Sequence, residues 1–328
     1  TGVVTKKALT ITATGPNKVY GSAIATTANA TQFTSVGLVT GETITGVTLT
    51  PNTAGASATT AAGLAYVVTP SLPTGSNGFT AANYNITYAP YEGVVAKKAL
   101  TATADNKSKV YGSVNPVFTI TYEGFANSEN ASVLTLAPVA STSATGTSNV
   151  GNYDIAISNG TAANYTLTVV KGALTITKAT LTVTAENKSR IYGASNPALT
   201  YTYAGFVNDQ TASSLSTAPT ASTTAKNTSK VGDYDITLSS AADNNYDFVY
   251  NKGKLTINKA TLTVTAQNNE RCFAANDPAL SYIVLGFANG EDTTAFSSQI
   301  KMKTNTSAST AAGDYKTIAY DASAEKRI

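Results

Sequence analysis

Asp105-Asn106-Lys107-Ser108-Lys109-Val110-Tyr111-Gly112 decides how this chain is read, because it returns 81 residues later as Glu186-Asn187-Lys188-Ser189-Arg190-Ile191-Tyr192-Gly193. It returns again, eroded, as Gln267-Asn268-Asn269-Glu270-Arg271-Cys272-Phe273-Ala274, and an earlier copy, Gly15-Pro16-Asn17-Lys18-Val19-Tyr20-Gly21, lies 91 residues ahead. The flanking residues move in register with these blocks. One module therefore repeats about four times, and such an array serves to span, to display or to multiply contacts.

The third copy is the clearest. Ala179-Thr180-Leu181-Thr182-Val183-Thr184-Ala185 alternates apolar residues with Thr, which predicts a half-buried strand with a Thr-covered outer face. Asn187-Lys188-Ser189 reads as a polar turn and Asn196-Pro197 as another, since proline fixes φ and biases its predecessor towards extended backbone. Leu199-Thr200-Tyr201-Thr202-Tyr203 alternates again and ends at Gly205-Phe206. The run from Asn208 to Leu215 predicts one or two helical turns, stopped before Pro219. Strands are then expected over Val231–Leu238 and Asn245–Tyr250, a hairpin turn at Asn251-Lys252-Gly253-Lys254, and a closing strand at Leu255-Thr256-Ile257.

This pattern predicts a mainly β protein, a linear array of about four small modules. Each is an immunoglobulin-like sandwich or a β-grasp-like arrangement with a short helical turn, and the residues leave the two open. The expected divisions are 1–6 as the tail of a preceding repeat, then repeats at 7–97 (a longer subtype), 98–178, 179–259 and 260–328. Gly2-Val3-Val4 matches Gly93-Val94-Val95, so the chain reads as an excerpt of a longer protein. The last repeat lacks the Asn-Tyr strand and the closing strand, which are expected either beyond the excerpt or from another source. Only Asn258-Lys259-Ala260 separates the end of one repeat from the start of the next, with no flexible linker. At about 3.3 Å per strand residue, modules of roughly 30–40 Å would form an elongated rod of well over about 100 Å.

Composition narrows the function. Only 12% of residues are charged, and a net charge of +3 without a basic run argues against nucleic acid as a partner. No apolar stretch is long enough for a membrane span. The chain has no His, which removes the usual general base and the commonest metal ligand, and its one Cys cannot form an internal disulfide.

The recurring Lys-Ala-Leu-Thr, Asn-Lys-x-Tyr-Gly, Gly-Phe-x-Asn, Val-Gly-x-Tyr-x-Ile, Asn-Tyr and Gly-x-Leu-Thr-Ile elements resemble the MBG and YDG-type repeats of large bacterial surface adhesins, including the gliding-motility adhesins of Bacteroidetes. The resemblance covers essentially the whole chain. It implies a non-catalytic stalk at the bacterial cell surface, exported by the type IX route, whose partners are neighbouring repeats and an extracellular polysaccharide or surface protein. A carbohydrate- or protein-binding module and the accessory stalk of a secreted enzyme are the alternatives. The fourth repeat departs from the family pattern at Cys272-Phe273-Ala274.

No catalytic, cofactor-binding or metal residues are assigned. Tyr20, Tyr111 and Tyr192 are expected to pack on the sheet with bonded hydroxyls rather than to stand as sugar platforms. Phe125, Phe206 and Phe287 are expected in the core. The loops Asn127-Ser128-Glu129, Asn208-Asp209 and Asn289-Gly290-Glu291-Asp292 are the only candidates for Ca²⁺, but each offers at most two carboxylates where about six to eight oxygens are needed. Cys272 takes the slot of Val19, Val110 and Ile191 and is expected to be a buried thiol, with Arg271 beside it as the one reason to consider reactivity. Asp292-Thr293-Thr294 matches a short O-glycosylation acceptor.

Overall fold

The computed structural model describes residues 2–321 and 326–327. Thr1 of the expected leading tail, and 322–325 and 328 at the end of the expected fourth repeat, lie outside the described residues. The chain divides into two compact units, Thr1–Thr177 and Lys178–Ile328.

Each unit is built from pairs of small sheets. In the second unit, Ala179–Ala185 is the centre of a three-stranded sheet, antiparallel to Tyr201–Ala204 and parallel to Tyr246–Asn251. A four-stranded sheet runs Lys188–Ile191, Gly253–Asn258, Gly232–Ser239, Thr220–Thr223. Val183 and Ala185 of the first sheet share one buried core with Ile236, Leu238, Leu255 and Ile257 of the second. The alternation over Ala179–Ala185 does what its period predicts, since Ala179, Leu181, Val183 and Ala185 are buried and the threonines line the other face. A two-sheet β-sandwich results.

The first unit repeats this plan twice. Lys98–Ala104 lies between Ile120–Glu123 and Tyr165–Val170, over a sheet of Ala140–Thr142, Gly151–Ile157, Gly172–Thr177 and Lys107–Val110. Ahead of it, Lys7–Ala13 lies between Phe33–Val36 and Tyr84–Ala89, over Thr27–Asn29, Thr43–Pro51, Ala65–Ser76 and Tyr91–Val94. Only Val95, Ala96 and Lys97 separate Tyr91–Val94 from Lys98–Ala104. One buried cluster runs through that junction, from Leu9, Ile11, Val47 and Val68 to Leu100, Ala162 and Tyr165.

Four expectations are corrected. The helical turns expected from Asn208 shrink to one 3₁₀ turn, Ala212–Ser214, because Asn208 and Asp209 take left-handed backbone (φ 56° each), so no helix crosses the sheet. Asn187-Lys188-Ser189 is not simply a turn. Lys188–Ile191 pairs parallel with the closing strand Gly253–Asn258, an interaction across 67 residues that local polarity cannot show. The residues around Gly253 do not make a hairpin either, since Tyr246–Asn251 and Gly253–Asn258 belong to different sheets. The chain changes layers there, and Gly253 passes so close to Ala185 that an added Cβ would sit 2.7 Å from its carbonyl oxygen. Finally, Cys272 is exposed. Its equivalents Val19, Val110 and Ile191 are themselves 41%, 46% and 56% exposed, because they lie on the outward face while the basic residue before each points inward.

Candidate functional site

The recurring block builds its chemistry on that inward basic residue. Lys18 is buried and its Nζ donates to the carbonyls of Ser22, Gly55 and Ser57, at 2.7, 3.0 and 2.5 Å. Lys109 donates to the carbonyls of Ser113 and Thr145. Arg190 reaches Asn196 Oδ1 and the Lys226 carbonyl, and Arg271 reaches Asp277 Oδ1 and the Ser307 carbonyl. One cation per repeat thus ties the block to distant loops. Burial lowers the pKa of Lys18 and of Lys109.

In the first and third copies the next two residues, Tyr20-Gly21 and Tyr192-Gly193, face the following repeat of the same unit. In the first unit, Tyr20 meets Tyr165 edge to face, with centroids 5.5 Å apart, and Tyr165 meets Phe125 in the same way. The Tyr20 hydroxyl donates to Glu129 Oε1 at 2.5 Å, and the Tyr165 hydroxyl donates to Glu129 Oε2 while accepting from the Ala126 N–H. One carboxylate from the left-handed Asn127-Ser128 turn therefore joins a tyrosine of each repeat. Gly21 (φ 84°) receives the Ala126 methyl so closely that an added Cβ would lie 2.4 Å from it. The Ala62 N–H donates to Asn164 Oδ1 at 3.0 Å, a further bond between the two repeats.

The second unit repeats the contact. Tyr192 donates to Glu291 Oε1 at 2.7 Å, and a Cβ on Gly193 would lie 2.2 Å from Ala288 Cβ. In the fourth copy both halves are altered. Phe273 has no hydroxyl, and Ala274 already carries a methyl on left-handed backbone (φ 66°) where Gly21 and Gly193 leave room. Tyr111 is buried as well, and its N–H donates to the Thr177 carbonyl.

The other candidates are accounted for individually. Phe125 packs on Tyr122 and Tyr165, Phe206 on Tyr203 and Tyr246, and Phe287 on Phe296. The loops weighed for Ca²⁺ form left-handed turns, and two of them present Glu129 and Glu291 to tyrosines. Among the described residues no three metal-ligating side chains cluster. Asp292 caps the 3₁₀ turn Thr293–Ala295, accepting from the Thr294 hydroxyl and from the Thr294 N–H, and these bonds hold its carboxyl below the usual range. The residues missed by sequence reasoning are Ala126, Ala288 and the buried cations. The only available signal was a basic residue at the same step of every block.

The phenols are tuned by this geometry. The Glu129 hydrogen bond, then burial, raises Tyr20, while burial and then Glu129 push Tyr165 up to about 12. A folded pKa above the unfolded value, about 10, means stability that is fully present below pH ~10 and lost as pH rises through about 12. Stability is therefore expected to fall between about pH 10 and 12, with Tyr165→Phe losing part of that dependence; phenolate absorbance and thermal melts read both. Burial pushes Tyr203 to the same range, so some dependence persists in the variant.

A two-layer β module with a built-in contact for its successor defines a class of tandem structural repeat. The chain belongs to the MBG domain family, YGX type, which matches residues 100–175, 181–256 and 262–326. Tyr111-Gly112 and Tyr192-Gly193 lie within the first two matched segments, and Phe273-Ala274 stands at the same step of the third. No curated protein matches the chain. The family is not a known enzyme family.

Proposed function

We propose that this chain is a non-catalytic spacer within a very large cell-surface adhesin, composed of repeats at 7–97, 98–178, 179–259 and 260–328. It holds a binding element away from the bacterial surface, or repeats weak contacts along its length, in surface attachment or gliding. Its location is extracellular and its partners are neighbouring repeats together with an external polysaccharide or surface protein. MBG repeats often occur in large surface proteins, which supports this setting. Among the described residues no helix is long and apolar enough to cross a membrane.

The observation that carries the reading is the Tyr20–Glu129–Tyr165 clasp. A free linker lets neighbours reorient, whereas a shared carboxylate, a glycine-sized socket and a continuous core fix their angle. Repeated contacts of this kind suit a spacer, and linked weak sites raise avidity without a deep pocket. Small-angle scattering on the whole chain tests the reading. An elongated profile with a maximum dimension above about 100 Å is expected from four strand-length modules, and a compact globular profile would sink it.

A further inference from the structure

Asn-Gly occurs at three places in the chain, 77–78, 159–160 and 289–290. At such a step the glycine amide nitrogen can attack the asparagine side-chain carbonyl carbon and close a succinimide ring, because glycine lacks the Cβ that crowds this approach. The fold sorts the three. Gly160 is held against the Leu136 carbonyl and Pro138, where an added Cβ would lie 2.7 Å from each. Asn77-Gly78 and Asn289-Gly290 are exposed left-handed turns, with φ 59° and 95° in the first and 55° and 76° in the second. Neither glycine has an atom within 4 Å of the place a Cβ would take. One bond closes each turn, from the Phe79 N–H to the Ser76 carbonyl at 3.3 Å and from the Glu291 N–H to the Ala288 carbonyl at 3.0 Å. Among the described residues no hydrogen bond engages the N–H of Gly78 or of Gly290.

Of these two turns, Asn289-Gly290 belongs to a clasp. It joins Ala288, whose methyl fills the space left by Gly193, to Glu291, whose Oε1 receives the Tyr192 hydroxyl. Asn289 adds a bond of its own, from Nδ2 to the Asn227 carbonyl of the preceding repeat at 3.4 Å. Asn127 Nδ2 does the same to the Ala58 carbonyl in the first unit. The left-handed pair recurs as Asn127-Ser128 and Asn208-Asp209, but there the residue after asparagine carries a side chain. At 289–290 that residue is glycine, so a clasp and a reactive step coincide.

We propose that Asn289-Gly290 is a site of spontaneous deamidation whose reaction unfastens the clasp to the preceding repeat. The Gly290 nitrogen bonds to Asn289 Cγ, and its proton leaves with the side-chain nitrogen as ammonia. Water then opens the succinimide. Aspartate forms where the new Cγ–N bond breaks, and isoaspartate where the original backbone C–N bond breaks. Both products lose the Nδ2 donor, so an anionic oxygen faces the Asn227 carbonyl, and both place a negative charge two residues from Glu291. Isoaspartate also adds a methylene to the backbone of the turn that positions Ala288 and Glu291. The chain thereby carries an age-dependent release in one clasp. The proposal rests on the clasp geometry and not on the spacer reading.

Ageing the whole chain at mildly alkaline pH and body temperature, followed by peptide mass spectrometry with isoaspartate methyltransferase labelling, tests the chemistry. Asn289 is expected to convert at least about tenfold faster than Asn127, Asn159 or Asn208. Asn77 is expected to convert as well and serves as the control outside a clasp. The Glu291 amide, bonded to the Ala288 carbonyl, reads the consequence. Its protection from hydrogen exchange is expected to fall at least about tenfold in the converted chain, and at once in Asn289→Asp, while the strand Gly253–Asn258 stays protected. Aged Asn289→Gln, which keeps an amide and closes its larger ring far more slowly, should retain protection at Glu291. Conversion of Asn289 no faster than at the other three sites, or Glu291 protection unchanged in either the converted chain or Asn289→Asp, would overturn the proposal.

Discussion

Tyr165→Ala is expected to destabilise the first unit by about 3–5 kcal/mol, the cost typical of removing a fully buried aromatic ring. The ring contributes on two levels. Within its own repeat it fills the space against Phe125 and occupies the parallel pairing opposite Lys98. Between repeats it is the surface on which Tyr20 rests, and its loss leaves the Ala126 N–H and one oxygen of Glu129 without their phenol. Tyr165→Phe keeps the ring and removes the hydroxyl, so roughly 1–2 kcal/mol is expected. Denaturant midpoints at unchanged m-value would read both losses. A Tyr165→Ala variant within about 0.5 kcal/mol of the parent would mean that the ring is not a structural centre of the unit.

The second large effect is expected at Lys18. Replacement by Met keeps a long unbranched stem but removes the ammonium that satisfies three loop carbonyls. Hydrogen bonds to charged groups contribute roughly 1.5–3 kcal/mol each, and relief from burying the charge offsets part of that. A net loss of about 3 kcal/mol follows, concentrated in the loops Ser22 and Gly55–Ser57. Hydrogen exchange should show those loops opening before the strand Lys7–Ala13. A stabilised variant would show instead that desolvation of the buried ammonium outweighs its bonds.

Much of the fold was legible because its signals are local. The alternation in Ala179–Ala185 and the repeated block needed no tertiary information, and both the strand and the tandem β architecture follow from them. What was not legible depends on distant partners. Asn187-Lys188-Ser189 reads as a polar turn until the closing strand pairs beside Lys188–Ile191 and Arg190 turns inward. Lys252-Gly253 reads as a hairpin because a layer change and a tight turn use the same residue types. Cys272 reads as buried because its equivalents Val19, Val110 and Ile191 are aliphatic, yet those residues are themselves on the outward face.

The candidate site shows the same division. Tyr20 and its glycine stand out in the sequence, but the partner that gives them meaning, Glu129, lies 109 residues away in a loop that resembles a metal-binding turn. Ala126 carries no signal of its own. Its methyl matters only because Gly21 leaves a space for it.

Within a unit, the Tyr-Gly step clasps one repeat to the next. The amide of Ala62 reports on it most directly, because its hydrogen bond runs to Asn164 of the following repeat. In the parent chain that amide is predicted to be protected from hydrogen exchange. In Gly21→Ala, whose new methyl collides with Ala126 on left-handed backbone, protection at Ala62 is predicted to be lost while the strand Lys7–Ala13 stays protected. Free-loop exchange at Ala62 in the parent, or protection unchanged by the substitution, would contradict the clasp.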